Sequence, residues 1–175
     1  MSTEQNHAYD NAKGWAGTIA EMVAALECDY ARLADLREDR ADHADDTAAD
    51  GLLAEWNEEY GEELADLITA ATYEGELQTD SEGMRERIQE SPLSIEVRSG
   101  WYSPTGETQP SEDFMILLST GGPALRIRGE LSEYCEPTRA WLEYQDWGTP
   151  WTEYHGEGCE HKTLLTFCKQ FYFGE

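Results

Sequence analysis

The sequence predicts an α+β fold: an N-terminal helical hairpin, an antiparallel sheet of about four strands and a C-terminal helix. Three observations carry that expectation. Apolar residues recur at steps of three and four between Trp15 and Ala71, the period falls to two after Pro92, and a last apolar series near the C-terminus returns to helical spacing.

In the first series Trp15, Ile19, Met22, Val23, Leu26, Tyr30 and Leu33 share one face, which predicts a single amphipathic helix from Trp15 to about Arg40. A second series, Leu52, Leu53, Trp56, Tyr60, Leu64, Leu67, Ile68 and Ala71, predicts another helix, with Asp50 or Thr47 available as its N-cap. The acidic connection ADHADDTAADG between them is short. The two helices should therefore pack as an antiparallel hairpin running to about Tyr73, with no strand before residue 75. Residues 74–92 are polar, fit one short helix from Glu82 to Gln89, and end at Pro92, which disfavours helix in the residue before it. This gives an acidic helical region at 1–75, a linker at 76–92 and a sheet with its helix at 93–175, all expected to form one compact unit.

Beyond Pro92, Leu93, Ile95 and Val97 alternate with Ser94, Glu96 and Arg98, as in a strand with one face buried. After the loop SPTGETQPSE, the run Phe114 to Leu118 (FMILL) reads as a central strand. The turn STGGP leads into Leu125, Ile127 and Leu131, alternating with Arg126, Arg128 and Glu130, so the pair forms a hairpin. Thr138 to Asp146 fits a fourth strand. Leu164, Leu165, Cys168, Phe171 and Tyr172 define the closing helix, near Glu160 to Phe173.

Charge is the most unusual property of the chain. Thirty-seven Asp and Glu face twelve Lys and Arg, for a net charge of −25. Residues 1–90 carry 24 acids and six bases, net −18, whereas residues 91–175 carry 13 acids and six bases, net −7. Such a field repels nucleic acid and anionic membranes and steers the protein toward basic surfaces. Cys28, Cys135, Cys159 and Cys168 are irregularly spaced without a CxxC, which suits free thiols and a reducing compartment. No apolar run reaches membrane-spanning length, and Met1 to Asp10 lacks the pattern of a signal peptide, so the expected location is cytoplasmic.

The second helix carries Glu55, Glu58, Glu59, Glu62, Glu63 and Asp66 at steps of three and four, opposite its apolar face. Neighbouring carboxylates on such a stripe lie roughly 5–6 Å apart, a spacing comparable to that of successive phosphates along a nucleic-acid strand. Helices in water usually have charged outer faces, but they mix signs; this one has no Lys or Arg from Gly51 to Tyr73. Asp39, Asp42, Asp45 and Asp46 extend the negative charge into the connection. Asp42, Asp45, Asp46 and Asp50 could also be hard oxygen ligands for a divalent ion, yet their spacing lacks the Gly and Glu positions of a calcium-binding helix-loop-helix.

Other constellations are weaker. His155, Cys159 and His161 fall within seven residues and are candidate soft-metal ligands, although their spacing matches no zinc pattern and a Gly-rich turn into a helix accounts for them. Glu157 and Glu160 oppose activation of the Cys159 thiol. Trp141, Tyr144, Trp147, Trp151 and Tyr154, with Glu143, Asp146 and Glu153, could recognise a sugar; packing against a small sheet is the commoner use of such aromatics. Arg98, Arg126, Arg128 and Arg139 occupy polar strand positions, where cross-strand pairs with Glu96, Glu130 and Glu143 explain them better than a nucleic-acid site does. No nucleophile-elbow, phosphate-loop, metalloprotease or dinucleotide motif is present, so the expectation is a non-enzyme without cofactor.

The segments SIEVRSGWYSPTGE, EDFMILLSTGGPALRIRGEL and RAWLEYQDWGTPWTEY, spanning about residues 93–155, resemble small uncharacterised proteins carried by plasmids, phages and genomic islands of bacteria. The resemblance implies a mobile-element setting, in which small acidic proteins often inhibit anti-phage defences, as anti-restriction and anti-CRISPR proteins do. It brings no catalytic residues. Combined with the acidic stripe, it leads to the expectation of a phosphate-mimicking inhibitor whose partner is a basic, nucleic-acid-binding protein or ribonucleoprotein, contacted through Asp39, Asp42, Asp45, Asp46, Glu55, Glu58, Glu59, Glu62, Glu63 and Asp66. The rivals are a salt-adapted or immunity-type acidic protein and a metal-dependent enzyme using His155, Cys159 and His161.

Overall fold

The computed structural model describes residues 7–45, 50–101, 103, 106 and 109–174. The fold is α+β, with helices flanking antiparallel sheets. In chain order the helices α1 (His7–Glu27), α2 (Tyr30–Asp45) and α3 (Asp50–Ala71) come first. They precede a small hairpin of β1 (Thr72–Tyr73) and β2 (Glu76–Leu77), then α4 (Glu82–Glu90). A meander of β3 (Ser94–Ser99), β4 (Ser111–Ser119), β5 (Ala124–Leu131), β6 (Pro137–Gln145) and β7 (Thr152–Glu153) leads to α5 (His161–Cys168). The strands β3 to β7 form one sheet in sequence order.

Two compact units result, one of Met1–Val23 with Glu86–Glu175 and one of Ala24–Arg85. These divisions replace the ones expected near residues 75 and 92. The single helix expected from Trp15 to about Arg40 is broken in two at Cys28 and Asp29. Asp29 caps the new helix: its side chain accepts from the Arg32 amide at 3.0 Å and its carbonyl from the Leu33 amide at 2.9 Å. The Tyr30 hydroxyl holds the break by donating to the Ala25 carbonyl at 2.8 Å, a group left over at the end of α1. The hairpin is therefore made by α2 and α3, while α1 up to Val23 belongs with the large sheet.

In the sheet unit, alternation sends Phe114, Ile116 and Leu118 of β4, Leu125 and Ile127 of β5, and Ala140 and Leu142 of β6 to one buried face. Leu164, Phe167 and Cys168 of α5 are buried with them, as are Ala8, Ala12, Ala16 and Ile19 of α1. Tyr9 of α1 meets Tyr144 and Tyr154, and Asn11 donates to Ser119 at 3.3 Å. Gly129 makes room for the Phe114 ring: a Cβ there would stand 2.1 Å from the Arg139 carbonyl and 2.3 Å from that ring. Gly158, at φ +83°, brings the loop before α5 onto α1, where a Cβ would stand 2.7 Å from the Ala16 carbonyl.

In the acidic unit, Leu33, Leu36, Trp56, Leu64 and Ala71 form the core between α2 and α3, with Tyr60, Leu67, Ile68 and Leu77 packed against it. A further correction is the hairpin of β1 and β2, which puts a two-residue strand before residue 75. The expected strand at Leu93 to Val97 exists, but as the sheet's edge: Leu93, Ile95 and Val97 are exposed rather than half-buried. The large sheet has five strands instead of four, the fifth being the two-residue β7.

Candidate functional site: the acidic face of α3

At about 100° per residue, Glu55, Glu58, Glu59, Glu62, Glu63 and Asp66 fall on one side of α3, opposite Leu64 and Ala71, with Trp56 at the border of the two faces. All six acids are exposed. The apolar face builds the unit and fixes the helix on α2, so it also sets the direction in which the acids point.

The structure divides these acids by what they touch. Glu63 takes a two-pronged bond from Arg32 of α2, Nε to Oε1 at 2.8 Å and Nη2 to Oε2 at 2.9 Å. That guanidinium holds the Glu63 carboxyl below the usual carboxylate range and also lies 5.8 Å from the Tyr60 ring centre. Glu59 accepts from the Tyr60 hydroxyl, a bond that, with the negative charge, pushes the phenol above its ordinary value. Glu55, Glu58, Glu62 and Asp66 have no hydrogen-bond or ion-pair partner among the described residues. They leave a row of carboxylates along the helix, none of them paired with a cation among the described residues.

On α2, Asp39 is structural: its Oδ2 accepts from the indole Nε1 of buried Trp56 at 2.6 Å, and its backbone carbonyl lies 2.8 Å from His43 Nδ1. A buried Trp needs an acceptor for its N–H, and this is the signal that could have assigned Asp39 from sequence. Asp42 is exposed in the last turn of α2, which Asp45 closes. Negative charge there opposes the helix dipole, so these acids do not favour the helix that bears them. Asp46 and the alternative cap Thr47 lie outside the described residues. Asp42 and Asp45 belong to a helix and Asp50 opens the next, rather than all three sharing an ion-binding loop.

The five like-charge neighbours at i,i+3 and i,i+4 among Glu55, Glu58, Glu59, Glu62 and Asp66 cost α3 about 0.2–0.5 kcal/mol each at low salt, roughly 1–2.5 kcal/mol together. Nothing on the described surface of α3 offsets them. The unit Ala24–Arg85 as a whole carries 19 acids and four bases, net −15 in 62 residues. The remaining 113 residues carry 18 acids and eight bases, net −10.

The other candidate clusters are accounted for differently. Among the described residues no group of three or more His, Cys, Asp or Glu is arranged to hold a metal ion. His155, Cys159 and His161 do line one depression of ≈ 500 Å³ together with Arg139, Trp141 and Glu153. There His155 Nδ1 lies 3.6 Å from Glu153, and the Cys159 thiol points to the Gly156 carbonyl at 2.7 Å. Burial raises the Cys159 thiol above its ordinary value, and the charges of Glu160 and Glu153 add to this, so it is not an activated nucleophile.

On the outer sheet face Arg126 pairs with Glu143 at 2.7 Å and lies over the Trp151 ring at 4.0 Å. Arg139 pairs with Glu130 at 2.9 Å, and Arg98 with Asp113 rather than Glu96. Arg128 lies 5.8 Å from the Trp141 ring centre. Glu143 also accepts from Trp141 Nε1 at 3.0 Å, so the acid nearest the aromatic cluster is already committed to structure.

No described helix is long and apolar enough to cross a membrane. Comparison of the chain with models of protein families, with curated proteins and with solved structures finds no match.

Proposed function

We propose that this protein is a non-enzymatic inhibitor whose acidic helical unit imitates nucleic-acid phosphates and occupies a Lys- and Arg-lined groove of a bacterial defence complex of the restriction or CRISPR type. The observation that carries this reading is the row Glu55, Glu58, Glu62 and Asp66, exposed and unpartnered among the described residues, on a helix that carries no base. A charge row that destabilises its own helix is unfavourable for folding and useful for binding a cation-lined surface. The uneven charge supports the same reading over salt adaptation, which would spread acids over both units. The mobile-element setting rests on the resemblance of residues 93–155 alone.

The test is capture from bacterial lysate with immobilised protein, followed by identification of what is retained. Wild type should retain a nucleic-acid-binding complex, and added duplex DNA or rising salt should release it, because the two compete for one basic groove. The variant Glu55→Lys/Glu58→Lys/Glu62→Lys should fold and retain nothing. The sheet variant Glu130→Gln, which alters a paired acid, should behave as wild type. Undiminished capture by the folded triple variant would reject the reading.

A further inference from the structure

We infer that the chain forms a homodimer by antiparallel pairing of β3 with β3 of a second copy, about a two-fold axis at Val97, so that two five-stranded sheets become one. This inference does not depend on the proposed target.

Among the described residues, four of the nine exposed large apolar side chains lie within nine consecutive positions: Leu93 (61% exposed), Ile95 (39%), Val97 (46%) and the fully exposed Trp101. Val97 pairs with Phe114 and Ile95 with Ile116, so both stand on the face that is buried in the neighbouring strand. The core layer thus continues onto β3 without being covered there. β3 is also an outer strand, with β4 as its one neighbour, so half of its backbone N–H and C=O groups face away from the sheet.

Edge strands in monomers are blunted by Lys, by Pro, by inward-pointing charge or by bulges. Leu93 to Ser99 has neither Lys nor Pro, and its inward positions are apolar. Its one irregularity falls at the end, between Arg98 and Ser99. At the opposite edge β7 has two residues, too few to template a partner.

The sequence of β3 also selects the register. Two identical strands pairing antiparallel about a two-fold axis exchange hydrogen bonds only when the axis passes through a residue position, because outward-facing amides alternate along each strand. An axis at Glu96 sets Glu96 against Glu96, an axis at Arg98 sets Arg98 against Arg98, and an axis at Ile95 sets Glu96 against Ser94 with no charge pair. The axis at Val97 sets each Glu96 opposite Arg98 of the other copy on the outer face, and Val97 against Val97 on the apolar face. Opposite charges across strands stabilise and like charges destabilise. The same register carries Leu93 of each copy toward the end of the other strand, where Trp101 lies. Strands this short bury a small interface, so the dissociation constant is on the order of micromolar.

Sedimentation at about 0.15 M salt, where net repulsion between copies is screened beyond roughly 8 Å, tests the pairing over ~1–200 µM protein. Wild type should move from the 19.8 kDa chain mass to twice that value. Val97→Lys should stay monomeric. Glu96→Arg alone and Arg98→Glu alone each place like charges opposite each other at both positions of the homodimer, and each should weaken it at least tenfold. Mixed together, these two variants make both positions complementary, so the mixture should dimerise where neither component does. Arg98 also pairs with Asp113 in its own chain; should Arg98→Glu unsettle the fold by circular dichroism, Val97→Lys decides. Wild type remaining at the monomer mass throughout, Val97→Lys dimerising as wild type does, or a mixture of folded variants that stays monomeric would each overturn the inference.

Discussion

The two units of this chain treat charge in opposite ways. On the outer face of the sheet, Arg98, Arg126 and Arg139 each meet a carboxylate, Asp113, Glu143 and Glu130, on the neighbouring strand, and Arg126 and Arg128 also lie against Trp rings. In the helical unit Arg32 holds Glu63 and the Trp56 indole holds Asp39, while Glu55, Glu58, Glu62 and Asp66 are left without partners among the described residues. Both units satisfy the groups their cores require. They differ in arrangement: on the sheet Arg98, Arg126 and Arg139 are paired across strands, and the helical unit displays Glu55, Glu58, Glu62 and Asp66 in a row. Charge that is paired serves the fold, and charge that is aligned and unpaired costs the fold something.

The largest effect that bears on this contrast is loss of the anchor beneath the stripe. Trp56 is buried between α2 and α3, so Trp56→Ala should destabilise the acidic unit by about 3–5 kcal/mol. Urea unfolding followed by helix circular dichroism should show an early transition for that unit. Loss of both units together would show that they do not unfold separately.

A smaller effect is expected in the sheet. Gly129→Ala places a methyl 2.1 Å from the Arg139 carbonyl and against the Phe114 ring. Overpacking of this kind costs about 1–3 kcal/mol, read as a lower melting temperature, while binding through α3 should be unchanged. An unaltered melting temperature would mean that the strands part easily at this row.

The third change reverses sign. Glu55→Gln/Glu58→Gln/Glu62→Gln removes the like-charge neighbours on α3 and should stabilise the protein by roughly 1–2.5 kcal/mol at low salt, less as salt rises. Destabilisation by this variant would show that those carboxylates have structural partners after all. The smallest effect is electrostatic and local. Arg32→Gln should return the Glu63 carboxyl from its depressed value to the ordinary range of about 4.3, visible in a carbon-detected NMR titration. Because that carboxyl is depressed in the folded state, its pairing favours folding above the ordinary value and ceases to do so as pH falls through the depressed one. An unmoved titration would mean that Arg32 is not what holds it.

Much of this was legible in the sequence. The change of period at Pro92 marked where helices give way to strands, the turn STGGP located the β4–β5 hairpin, and the face of α3 bearing the acids followed from spacing alone. The break at Cys28 and Asp29 was not, because Tyr30 and Leu33 continue the apolar period of α1 across it; the capping aspartate was the available signal. The exposure of β3 could not be read either, since alternation reports which side chains share a face and not whether another layer covers it. Within the acidic set, spacing treats Asp39 and Glu63 like their neighbours, and only tertiary packing against Trp56 and Arg32 separates held acids from displayed ones.

The role proposed for the unpaired carboxylates of α3 is to be bound by a basic groove. It is tested most directly by the affinity of Glu55→Gln/Glu58→Gln/Glu62→Gln for the complex captured by wild type, measured across a salt series. The expected result is a folded, more stable variant that binds at least tenfold more weakly, with a shallower dependence of affinity on salt because fewer charges take part. A variant of raised stability that binds as tightly as wild type, with the same salt dependence, would contradict it.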